Sequence, residues 1–566
     1  MRELKQRESY KKISEDIDVF VKSKLDNYDA YGISGKTIHD PIWGSTHYKA
    51  WEMQLIDSPL LQRLRHISQV GLAVLTYPSA RHSRFEHTLG VAAATKKLVE
   101  RINENTKNFK ISTEVMEKLI LAALMHDVGH CFYSHLSEAV YGDLQDFRAL
   151  RNDIKEIYGI KPKPHEILSL LIVNSRSFHD FFQRFVNYQD KKDINCLLED
   201  VGKIIIGATI RSEQRIESYQ TAIINGSFDV DKLDYIKRDS YTAGLALDFD
   251  IERLFTKIQV HTLPHSIDGN GVTEYRLVIQ ANGVTAIEEL TFCKIMLFSY
   301  IYYHQKVLIT DDIIKDYVQA LLKLDLINTY SDFLKYDEDD LLQLAGKQTK
   351  GKPFAEYGSM DLKQLAGNIK NRILPKRCLE ISQGIVQDSQ GEEVQRLNQC
   401  AALLDKIRSD SSYSANDLDK DINQIISFYA KSDGCFIAGF ISKYKDNTYE
   451  QRLAVRKQIY DELVQIYTKN KETVDFEVFD IYFVFPPVVS YGIPGEKNVL
   501  GKDGQLMSIN DFVKLEQWAS SFNAYKWRAY VYVTQKVNKE YALEACRKVI
   551  FNNQIDLADL KAFLKF

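Results

Sequence analysis

The sequence predicts a mainly α-helical protein, with a helical core followed by a smaller α+β lobe. Apolar residues recur at three- and four-residue spacing through most of the first 330 residues, which is the period of an amphipathic helix. Alternating apolar and polar residues, typical of strands, are concentrated at 257–283 and beyond residue 476. The predicted domains are an N-terminal helical extension at 1–35, a helical domain at 36–330 and a C-terminal α+β lobe at 331–566.

Composition places the chain among folded globular proteins. It has 566 residues, of which 45% are hydrophobic and 11% aromatic, enough to bury a large core. The 73 basic and 77 acidic residues give a formal net charge of −4. Such a balance argues against a general coat for nucleic acid, although it leaves room for a local basic pocket. We therefore do not expect nucleic acid to be a partner.

Cysteine usage and the N-terminus predict a cytoplasmic protein. The seven cysteines are scattered without a CxxC pair, as in chains whose thiols stay reduced. The first segment, MRELKQRESYKKISED, is charged throughout and has no apolar signal region. No run approaches the roughly 18 apolar residues of a membrane span, so no membrane contact is expected.

The element pattern follows the predicted domains. Residues 36–48 are predicted as a short strand and turn, because Pro41 and Gly44 break the pattern. Two strands are predicted within 257–283. Helices are predicted over 1–35, 52–70, 81–102, 114–132 and 539–551, and strands over 476–492 and 527–537.

Histidines concentrate in the helical domain. Seven of the 13 histidines lie between residues 66 and 165, where even spreading would give two or three. His126 and Asp127 are consecutive inside a predicted apolar helix, where a buried charge is unfavourable unless it is paired or bound to a metal. Taken alone, the pair is compatible with a metal site or with a hydrogen-bonded helix cap.

Two further positions extend the pair to a possible ligand set. His87 precedes it by 39 residues and Asp231 follows it by 104 residues. Two imidazoles and two carboxylates suit Fe, Mn, Zn or Co. The stretch FDVDKLDYIKRDS around Asp231 is otherwise typical of a solvated helix start.

These blocks resemble the HD-domain phosphohydrolases. More narrowly, they are similar to the deoxynucleoside triphosphate (dNTP) triphosphohydrolases that animals join to a sterile alpha motif. The matching segments, from residue 36 to about residue 306, include DSPLLQRLRHISQVG, TYPSARHSRFEHTLGV, HDVGHCFYSHLSE and DVDKLDYIKRD. The resemblance implies that 36–330 is an HD phosphohydrolase domain, with a C-terminal lobe that serves regulation or oligomerisation. It also implies a homo-oligomer, a dimer or a tetramer.

The resemblance assigns roles to residues of this sequence. The implied metal ligands are His87, His126, Asp127 and Asp231. The implied catalytic residues are His130, His135 and His165, which line the α-phosphate, and Glu138, which supports the proton-transfer histidine. The implied substrate contacts are Gln69, Arg84, Lys232, Tyr235, Asp239, Lys294 and Tyr302. Among these, Asp239 would take the 3′-hydroxyl, and Tyr302 would pack on the 2′ edge of the sugar and so favour deoxyribose.

The chemistry of the implied reaction agrees with these residue types. A triphosphate carries about four negative charges, so Arg84, Lys232 and Lys294 would concentrate positive charge in an acidic protein. A divalent cation (Fe, Mn, Mg, Zn or Co) would activate water and polarise a phosphoryl oxygen. Attack at the α-phosphorus would release deoxynucleoside and intact tripolyphosphate, with a protonated histidine acting on the leaving 5′-oxygen.

Some positions depart from the family pattern. Lys294 stands where the family has Arg, and Gln305 stands where a Lys is usual. The implied regulatory residues, which match a guanine-nucleotide site between subunits, are Asp57, Gln62 and Arg65. His39 nevertheless replaces a neighbouring Asn of that site. Activation by GTP or dGTP is one interpretation, and a set of polar contacts between two helices is the other.

Two alternative functions remain open on the sequence. The first is an HD phosphohydrolase that acts on a nucleoside monophosphate, a cyclic nucleotide or ppGpp. The second is a nucleic-acid-binding or regulatory protein whose HD site is inactive. The cations and Tyr302 favour a triphosphate, and the complete ligand set favours an enzyme.

Overall fold

A computed structural model describes residues 1–186, 193–267, 270–347, 353–354, 357–382, 448–486, 497–515, 518 and 528–551. The described part of the chain is mainly helical, with small sheets, which confirms the predicted fold class. It forms two compact units. The first unit comprises Met1–Tyr302, Ile314–Thr349 and Tyr491–Leu515, and the second comprises Tyr303–Ile313, Lys350–Ser490 and Glu516–Phe566. The domain limits at residues 35 and 330 stay predictions.

The described helices are numbered in chain order. The first fifteen are α1 (Arg2–Gln6), α2 (Glu8–Leu25), α3 (Ala50–Ile56), α4 (Pro59–Gln62), α5 (Arg84–Asn105), α6 (Thr113–Met125), α7 (His135–Tyr141), α8 (Gln145–Tyr158), α9 (Pro164–Val173), α10 (Arg176–Phe185), α11 (Ile194–Ile205), α12 (Ser218–Ile224), α13 (Val230–Ala243), α14 (Ile251–Lys257) and α15 (Val284–Leu297). The others are α16 (Gln305–Lys323), α17 (Tyr330–Lys335), α18 (Glu338–Gln343), α19 (Leu362–Lys370), α20 (Tyr449–Lys469) and α21 (Lys539–Cys546). None of them is both long and apolar enough to cross a membrane.

The strands of the described residues form three small sheets. They are β1 (Lys36–Asp40), β2 (Gly44–Tyr48), β3 (Ile210–Arg211), β4 (Arg215–Glu217), β5 (Ile258–Ile267), β6 (Asn270–Gln280), β7 (Lys376–Ser382), β8 (Ile481–Val484), β9 (Lys497–Leu500), β10 (Leu506–Ser508) and β11 (Arg528–Val533). The first two form an antiparallel hairpin, and the second sheet has the order β10-β9-β6-β4-β3 with β5 also paired to β6. The third has the order β7-β11-β8.

Local sequence explains where two of the helices that carry candidate site residues begin. The α5 helix starts after Ser83, whose side chain and that of Glu86 form a capping box. The α13 helix starts after Asp229, whose carboxylate accepts the backbone N–H of Lys232. Its end is Gly244 in the left-handed conformation, with φ of 70°. These caps fix the first turns, where His87 and Asp231 lie.

Three predicted helices are wrong in their extent. The predicted helix at 1–35 is interrupted at Arg7 and ends at Leu25. The predicted helix at 52–70 is interrupted, because Ser58 caps a new helix that begins at Pro59, and a 3-10 turn follows at Arg63–His66. The predicted helix at 114–132 ends at Met125. By contrast, the two strands predicted within 257–283 are confirmed as β5 and β6.

The second unit has its own apolar core. Inward-facing residues of the three-stranded sheet, including Phe483 and Val531, pack with Ile459 and Leu463 of α20 and with Ala542 of α21. The helix predicted at 539–551 is present, with its last turn at Arg547–Phe551 wound as a π-helix. Of the strand predicted at 476–492, the described part forms β8, and residues 487–492 lie outside the described residues.

Candidate metal centre and active site

Three elements of the first unit bring two histidines and an aspartate together. His87 lies in the first turn of α5, His126 directly follows α6, and Asp231 lies in the first turn of α13. Nε2 of His87 is 3.0 Å from Oδ1 of Asp231, and Nε2 of His126 is 4.0 Å from the same oxygen. All three ligand atoms lie within 4.8 Å of one another, close enough to share one cation.

Asp127 lies beside this cluster. Its Oδ2 is 3.6 Å from Nε2 of His87 and its Oδ1 is 3.4 Å from Nε2 of His126. The buried guanidinium of Arg84 donates to Oδ2 at 2.8 Å. Although burial opposes its charge, the pKa of the Asp127 carboxyl is held well below its usual range by His126, His130 and Arg84.

The donor set fits a divalent metal ion. Among the described residues, Nε2 of His87 and Nε2 of His126 are buried without a hydrogen bond. Their Nδ1 atoms are engaged elsewhere, by Asp234 at 2.6 Å and by the carbonyl of Ala123 at 2.7 Å. Each ring therefore presents its Nε2 lone pair to the common space, as metal-ligating histidines do. Imidazole and carboxylate ligands suit Fe, Mn, Zn or Co, and the identity of the metal is open.

The surroundings of His87 also attract a cation. Burial disfavours a charge on this imidazole, but the neighbouring carboxylates of Asp231 and Asp234 raise its pKa to about 10. The negative charge concentrated around Nε2 therefore favours a proton or a metal ion at that atom.

The predicted position of the histidine–aspartate pair inside a helix is wrong. The α6 helix ends at Met125, and His126 is its C-cap residue. The chain then turns, with His130 N–H donating to the Asp127 carbonyl at 3.0 Å. Both side chains reach the space beside α5 and α13, where they lie near His87 and Asp231.

A second cluster of titratable side chains lies next to the first. One oxygen of Glu138, Oε1, is 3.2 Å from Nδ1 of His130, 3.0 Å from Nδ1 of His135 and 2.8 Å from Nδ1 of His165. Asp127 adjoins the two clusters, because its Oδ1 is 3.3 Å from Nε2 of His130 and 3.8 Å from Nε2 of His165. His135 has the open position, with 61% of its side chain exposed.

The charges of this second cluster are coupled through Glu138. Burial opposes its ionisation, yet His165 and His135 hold the pKa of the Glu138 carboxyl well below its usual range. Burial also opposes a charge on His165, while Glu138 raises the pKa of that imidazole. Within the cluster, burial lowers the pKa of His130 and of His135, so His165 is the imidazole whose surroundings favour a bound proton.

Comparison with known proteins decides the family of this part of the chain, since residues 84–239 match the HD domain family. This segment is an HD domain. The matched segment includes both histidine clusters and the α13 helix. The resemblance inferred from the sequence motifs is therefore confirmed.

Curated relatives extend the similarity beyond the HD domain. The deoxynucleoside triphosphate triphosphohydrolase SAMHD1 homolog of Dictyostelium discoideum is 26% identical over 450 residues, covering 78% of this chain and 78% of the relative. An uncharacterized protein of Methanocaldococcus jannaschii is 28% identical over 339 residues, which cover 58% of this chain and 61% of its own length. SAMHD1 of Bos taurus is 29% identical over 237 residues, covering 38% of this chain and 37% of the relative. This chain thus spans less than two thirds of the archaeal and cattle proteins.

Solved structures support the fold. A hypothetical protein from Aquifex aeolicus has a TM-score of 0.54 at 19% identity, covering 90% of this chain and 99% of that one. A phosphohydrolase from Bacteroides thetaiotaomicron has a TM-score of 0.54 at 17% identity, covering 88% of this chain and 100% of that one. At these identities the likeness concerns the fold alone.

Two of the implied sugar-binding residues, Asp239 and Tyr302, are in direct contact. Asp239, buried at the end of α13, accepts from His82 Nε2 at 2.7 Å through Oδ1 and from the Tyr302 hydroxyl through Oδ2. Tyr235 lies one helical turn earlier on α13, and Gln69 is nearly buried, with its N–H donating to the His82 carbonyl at 3.1 Å. His82 was not among the residues to which the resemblance assigned a role, and its contact with Asp239 places it beside this carboxylate.

The implied phosphate contacts differ in how their charged groups are already engaged within the protein. Arg84 uses its guanidinium within the protein, on Asp127 and on the Ser134 hydroxyl at 2.9 Å. The Lys232 ammonium donates to Asp229 at 2.5 Å and to the Gly226 carbonyl at 2.9 Å. Burial and the nearby charges of Lys232 and Lys163 lower the pKa of Lys294 to about 8. Sequence reasoning missed Lys163, which lies two residues before His165.

The implied regulatory residues lie close together, and their side chains contact neighbouring residues of this chain. Asp57 forms an ion pair with Lys36 at 2.9 Å. The Arg65 guanidinium donates to the Gln62 side chain at 2.7 Å and lies 3.8 Å from the centre of the Phe85 ring. The effector role of these residues stays a prediction.

Sequence reasoning also missed Asp234, although it occurs in the quoted motif DVDKLDYIKRD. Its two oxygens accept four hydrogen bonds, from His87, from Trp43 Nε1 at 2.6 Å and from two nitrogens of Arg238 at 2.8 Å each. Arg238 in turn pairs with Asp40 at 2.8 Å. The available signal was the spacing of four between Asp234 and Arg238, which places an acid and a base on one face of a helix.

Proposed function

We propose that the protein is a metal-dependent phosphohydrolase that converts a dNTP into deoxynucleoside and tripolyphosphate. The observation that carries the proposal is the set of His87, His126 and Asp231 immediately beside the imidazoles grouped on Glu138. A cation site adjoining a proton donor is the arrangement that phosphate-ester hydrolysis requires. The relatives named as dNTP triphosphohydrolases support the substrate class.

The implied ligands would hold the metal between α5, α6 and α13. When bound, a divalent cation would supply Lewis acidity and lower the pKa of a coordinated water. The chain contributes the orientation of the ligands. Asp234 fixes the ring of His87, and Arg84 fixes the carboxylate of Asp127.

The imidazoles grouped on Glu138 would handle the proton of the leaving group. Because Nδ1 of His165 and Nδ1 of His135 both face Glu138, their Nε2 atoms point away from that carboxylate. A proton on either Nε2 could be donated to the 5′-oxygen as the ester bond breaks. General acid catalysis of this kind is worth about 10²–10⁴ in rate.

Sugar recognition would centre on Asp239. Its two oxygens already accept from His82 and Tyr302, so a 3′-hydroxyl would join an ordered carboxylate. The Tyr302 ring, fixed by that bond, would exclude a 2′-hydroxyl by contact. Gln69 and Tyr235 would complete the pocket around the sugar and base.

The phosphate tail would meet lysines rather than arginines. Lys294 is influenced by the charges of both Lys232 and Lys163, which indicates that the three ammonium groups lie in one electrostatic region. Such a concentration of positive charge suits the β- and γ-phosphates. Arg84 would contribute mainly through Asp127.

The assembly and setting of the enzyme belong to the same proposal. We infer a cytoplasmic homo-oligomer, a dimer or a tetramer, with no membrane partner. A guanine nucleotide would act as effector at Asp57, Gln62 and Arg65. Binding there would require Asp57 to exchange Lys36 for the nucleotide.

Product analysis tests the proposed function. The purified protein is incubated with each dNTP, alone and in mixture, with Mn²⁺, Mg²⁺, Fe²⁺, Co²⁺ or Zn²⁺, and the products are separated by ion-exchange chromatography. We expect deoxynucleoside and tripolyphosphate in equal amounts, and cleavage restricted to mixtures would indicate an effector. Phosphate or pyrophosphate as product would favour another nucleotide hydrolase. Absence of cleavage under every condition, or full activity of Asp127→Ala and Asp231→Ala variants, would contradict the proposal.

A further inference from the structure

The loop before His135 has an unfavourable backbone conformation. Tyr133 and Ser134 both have positive φ, of 51° and 50°, and Ser134 has ψ of −114°. Residues other than glycine rarely adopt such angles, and they persist where the surroundings hold them. This turn starts α7 and thereby sets where His135 and Glu138 lie.

Glu338, the first residue of α18, holds this turn from outside the HD domain. Its Oε1 accepts the backbone N–H of Tyr133 at 3.2 Å and the backbone N–H of Ser68 at 2.9 Å. Its Oε2 accepts the hydroxyl of Ser68 at 2.6 Å. One carboxylate thus joins two segments that are 65 residues apart in sequence.

Both joined segments also contact Arg84. The Ser134 hydroxyl donates to the Ser68 carbonyl at 2.9 Å and accepts from Arg84 Nε at 2.9 Å. The backbone N–H of Arg84 donates to the carbonyl of Ile67 at 2.9 Å. Arg84 in turn holds Asp127. A displacement of the Glu338 carboxylate would therefore reach both the imidazoles grouped on Glu138 and the Arg84–Asp127 pair.

We propose that Glu338 is a positioning residue for the hydrolytic site, which clamps the Tyr133–Ser134 turn to Ser68. The proposal rests on the proposed function, because the groups it positions are the implied catalytic residue His135 and the Arg84–Asp127 pair. Glu338 itself touches none of the implied metal ligands or substrate contacts through a described hydrogen bond. It lies beyond the predicted catalytic domain limit at residue 330 and outside the HD domain match.

The contacts identify geometry, rather than charge, as the contribution of Glu338. Oε1 alone accepts both backbone N–H groups, and Oε2 meets a hydroxyl that can reverse its bond. A glutamine can therefore keep all three contacts, with its amide N–H donating to Ser68. Alanine loses all of them.

A variant series tests the clamp in the full-length, metal-loaded protein. The variants are Glu338→Ala, Glu338→Gln and, as matched control, Asp339→Ala, which removes an exposed acid from the same helical turn. We expect Glu338→Ala to lower kcat for dNTP about 10- to 100-fold, because small misplacements of catalytic groups have effects of this size. In Glu338→Ala, KM and the metal content should change less than about threefold. The kcat of the control Asp339→Ala and that of Glu338→Gln should both stay within about threefold of wild type.

Hydrogen–deuterium exchange supplies a readout that does not depend on the substrate. Peptides containing Ser68 and Tyr133 should lose protection in Glu338→Ala and keep it in Glu338→Gln. If Glu338→Ala does not fold, Glu338→Asp, which retains the charge but shortens the side chain, is used with the same expectations.

The outcomes separate the clamp from the proposed function. Wild-type kcat in Glu338→Ala, or equal losses in the alanine and glutamine variants, overturns the positioning role. If the wild type cleaves no dNTP, the proposed function fails. Hydrogen–deuterium exchange then tests the clamp by itself. Unchanged protection in Glu338→Ala overturns it, and a loss of protection confined to the Ser68 and Tyr133 segments supports it.

Discussion

At the residue scale, the Asp234 carboxylate accepts four hydrogen bonds from described side chains around it. It lies three residues after Asp231 on α13, is fully buried, and orients the ring of His87 through Nδ1. Burial opposes its charge, but Arg238 and His87 hold the pKa of the Asp234 carboxyl below its usual range. The ionised carboxylate keeps the His87 proton on Nδ1 and leaves Nε2 available to a metal.

The variant Asp234→Asn should weaken metal binding about 10- to 100-fold, since an amide supplies only one acceptor oxygen for four donors. Titration of Mn²⁺ by calorimetry measures the affinity, and circular dichroism verifies folding. The matched control is Asp248→Asn, because Asp248 is an exposed partner of Lys237. Trp43→Phe, which removes a single donor, should have a smaller effect. Undiminished Mn²⁺ affinity in Asp234→Asn would argue against the orienting role.

Lys294 gives the enzyme a predicted dependence on pH. With its pKa lowered to about 8 by burial and by Lys232 and Lys163, the ammonium is charged below pH 8 and loses its proton above it. Attraction of the phosphate tail should then weaken, so kcat/KM should fall about tenfold per pH unit well above pH 8.

The variant Lys294→Arg separates this group from other titrations. Arginine stays charged throughout, so the fall in kcat/KM above pH 8 should disappear. Lys237→Arg serves as control, since Lys237 is paired with Asp248. Profiles measured from pH 6.5 to 9.5 that decline equally in wild type and Lys294→Arg would assign the titration to another group.

At the scale of elements, the contact between α5 and α13 depends on Gly90. A Cβ at this position would lie 2.0 Å from Oδ1 of Asp234 and 2.2 Å from NH2 of Arg238. Both side chains are buried and fully hydrogen-bonded, so neither can move aside easily. The two helices that carry His87 and Asp231 can therefore approach closely only at a glycine.

The variant Gly90→Ala should lower the free energy of unfolding by about 1–3 kcal/mol, as overpacking does, and should also reduce metal affinity. The control is Gly367→Ala on α19, where a Cβ meets no atom within 4 Å. That change should stabilise the protein by about 0.4–1 kcal/mol, because alanine has less freedom in the unfolded chain. Denaturant titration measures both. An unchanged free energy of unfolding in Gly90→Ala would show that α13 can move aside without loss of stability.

The elements show which features a sequence pattern can predict. Periodicity located α5 and the β5–β6 hairpin, because each is a long regular run with clear ends. The end of α6 at Met125 was missed, since the apolar pattern continues through Val128 and the turn there depends on contacts with other elements. The break at Ser58 was visible as a helix cap followed by proline but was outweighed by the apolar spacing.

Site residues divide in the same way. Metal-ligand types at family spacing identified His87, His126 and Asp231, which the structure brings together. Residues that only orient other site residues were harder to predict from the sequence. Asp234 resembled any helix carboxylate, and Glu338 resembled a surface acid in the run DEDD, because its partners at Ser68 and Tyr133 lie more than 200 residues away.

At the scale of the whole molecule, the net charge of the chain differs in sign from the charge of the basic side chains gathered at the site. The chain has a formal net charge of −4, yet the described site gathers Arg84, Lys163, Lys232 and Lys294 near the histidine clusters. Local placement, rather than net charge, would attract a polyphosphate. The near-zero total therefore excludes little about small anionic ligands.

The pairing of β9 with β6 has a consequence for synthesis of the protein. Strand β9 at Lys497–Leu500 completes a sheet whose other long strands end at Gln280, and β11 at Arg528–Val533 is the central strand of the second unit. A ribosome adding roughly 5–20 residues per second needs on the order of ten seconds or more to pass from β6 to β9. During that interval the nascent chain exposes an unpaired edge of β6, which is a site for incorrect strand pairing. Protection of that edge by a chaperone would therefore matter from the synthesis of β6 until β9 has been made.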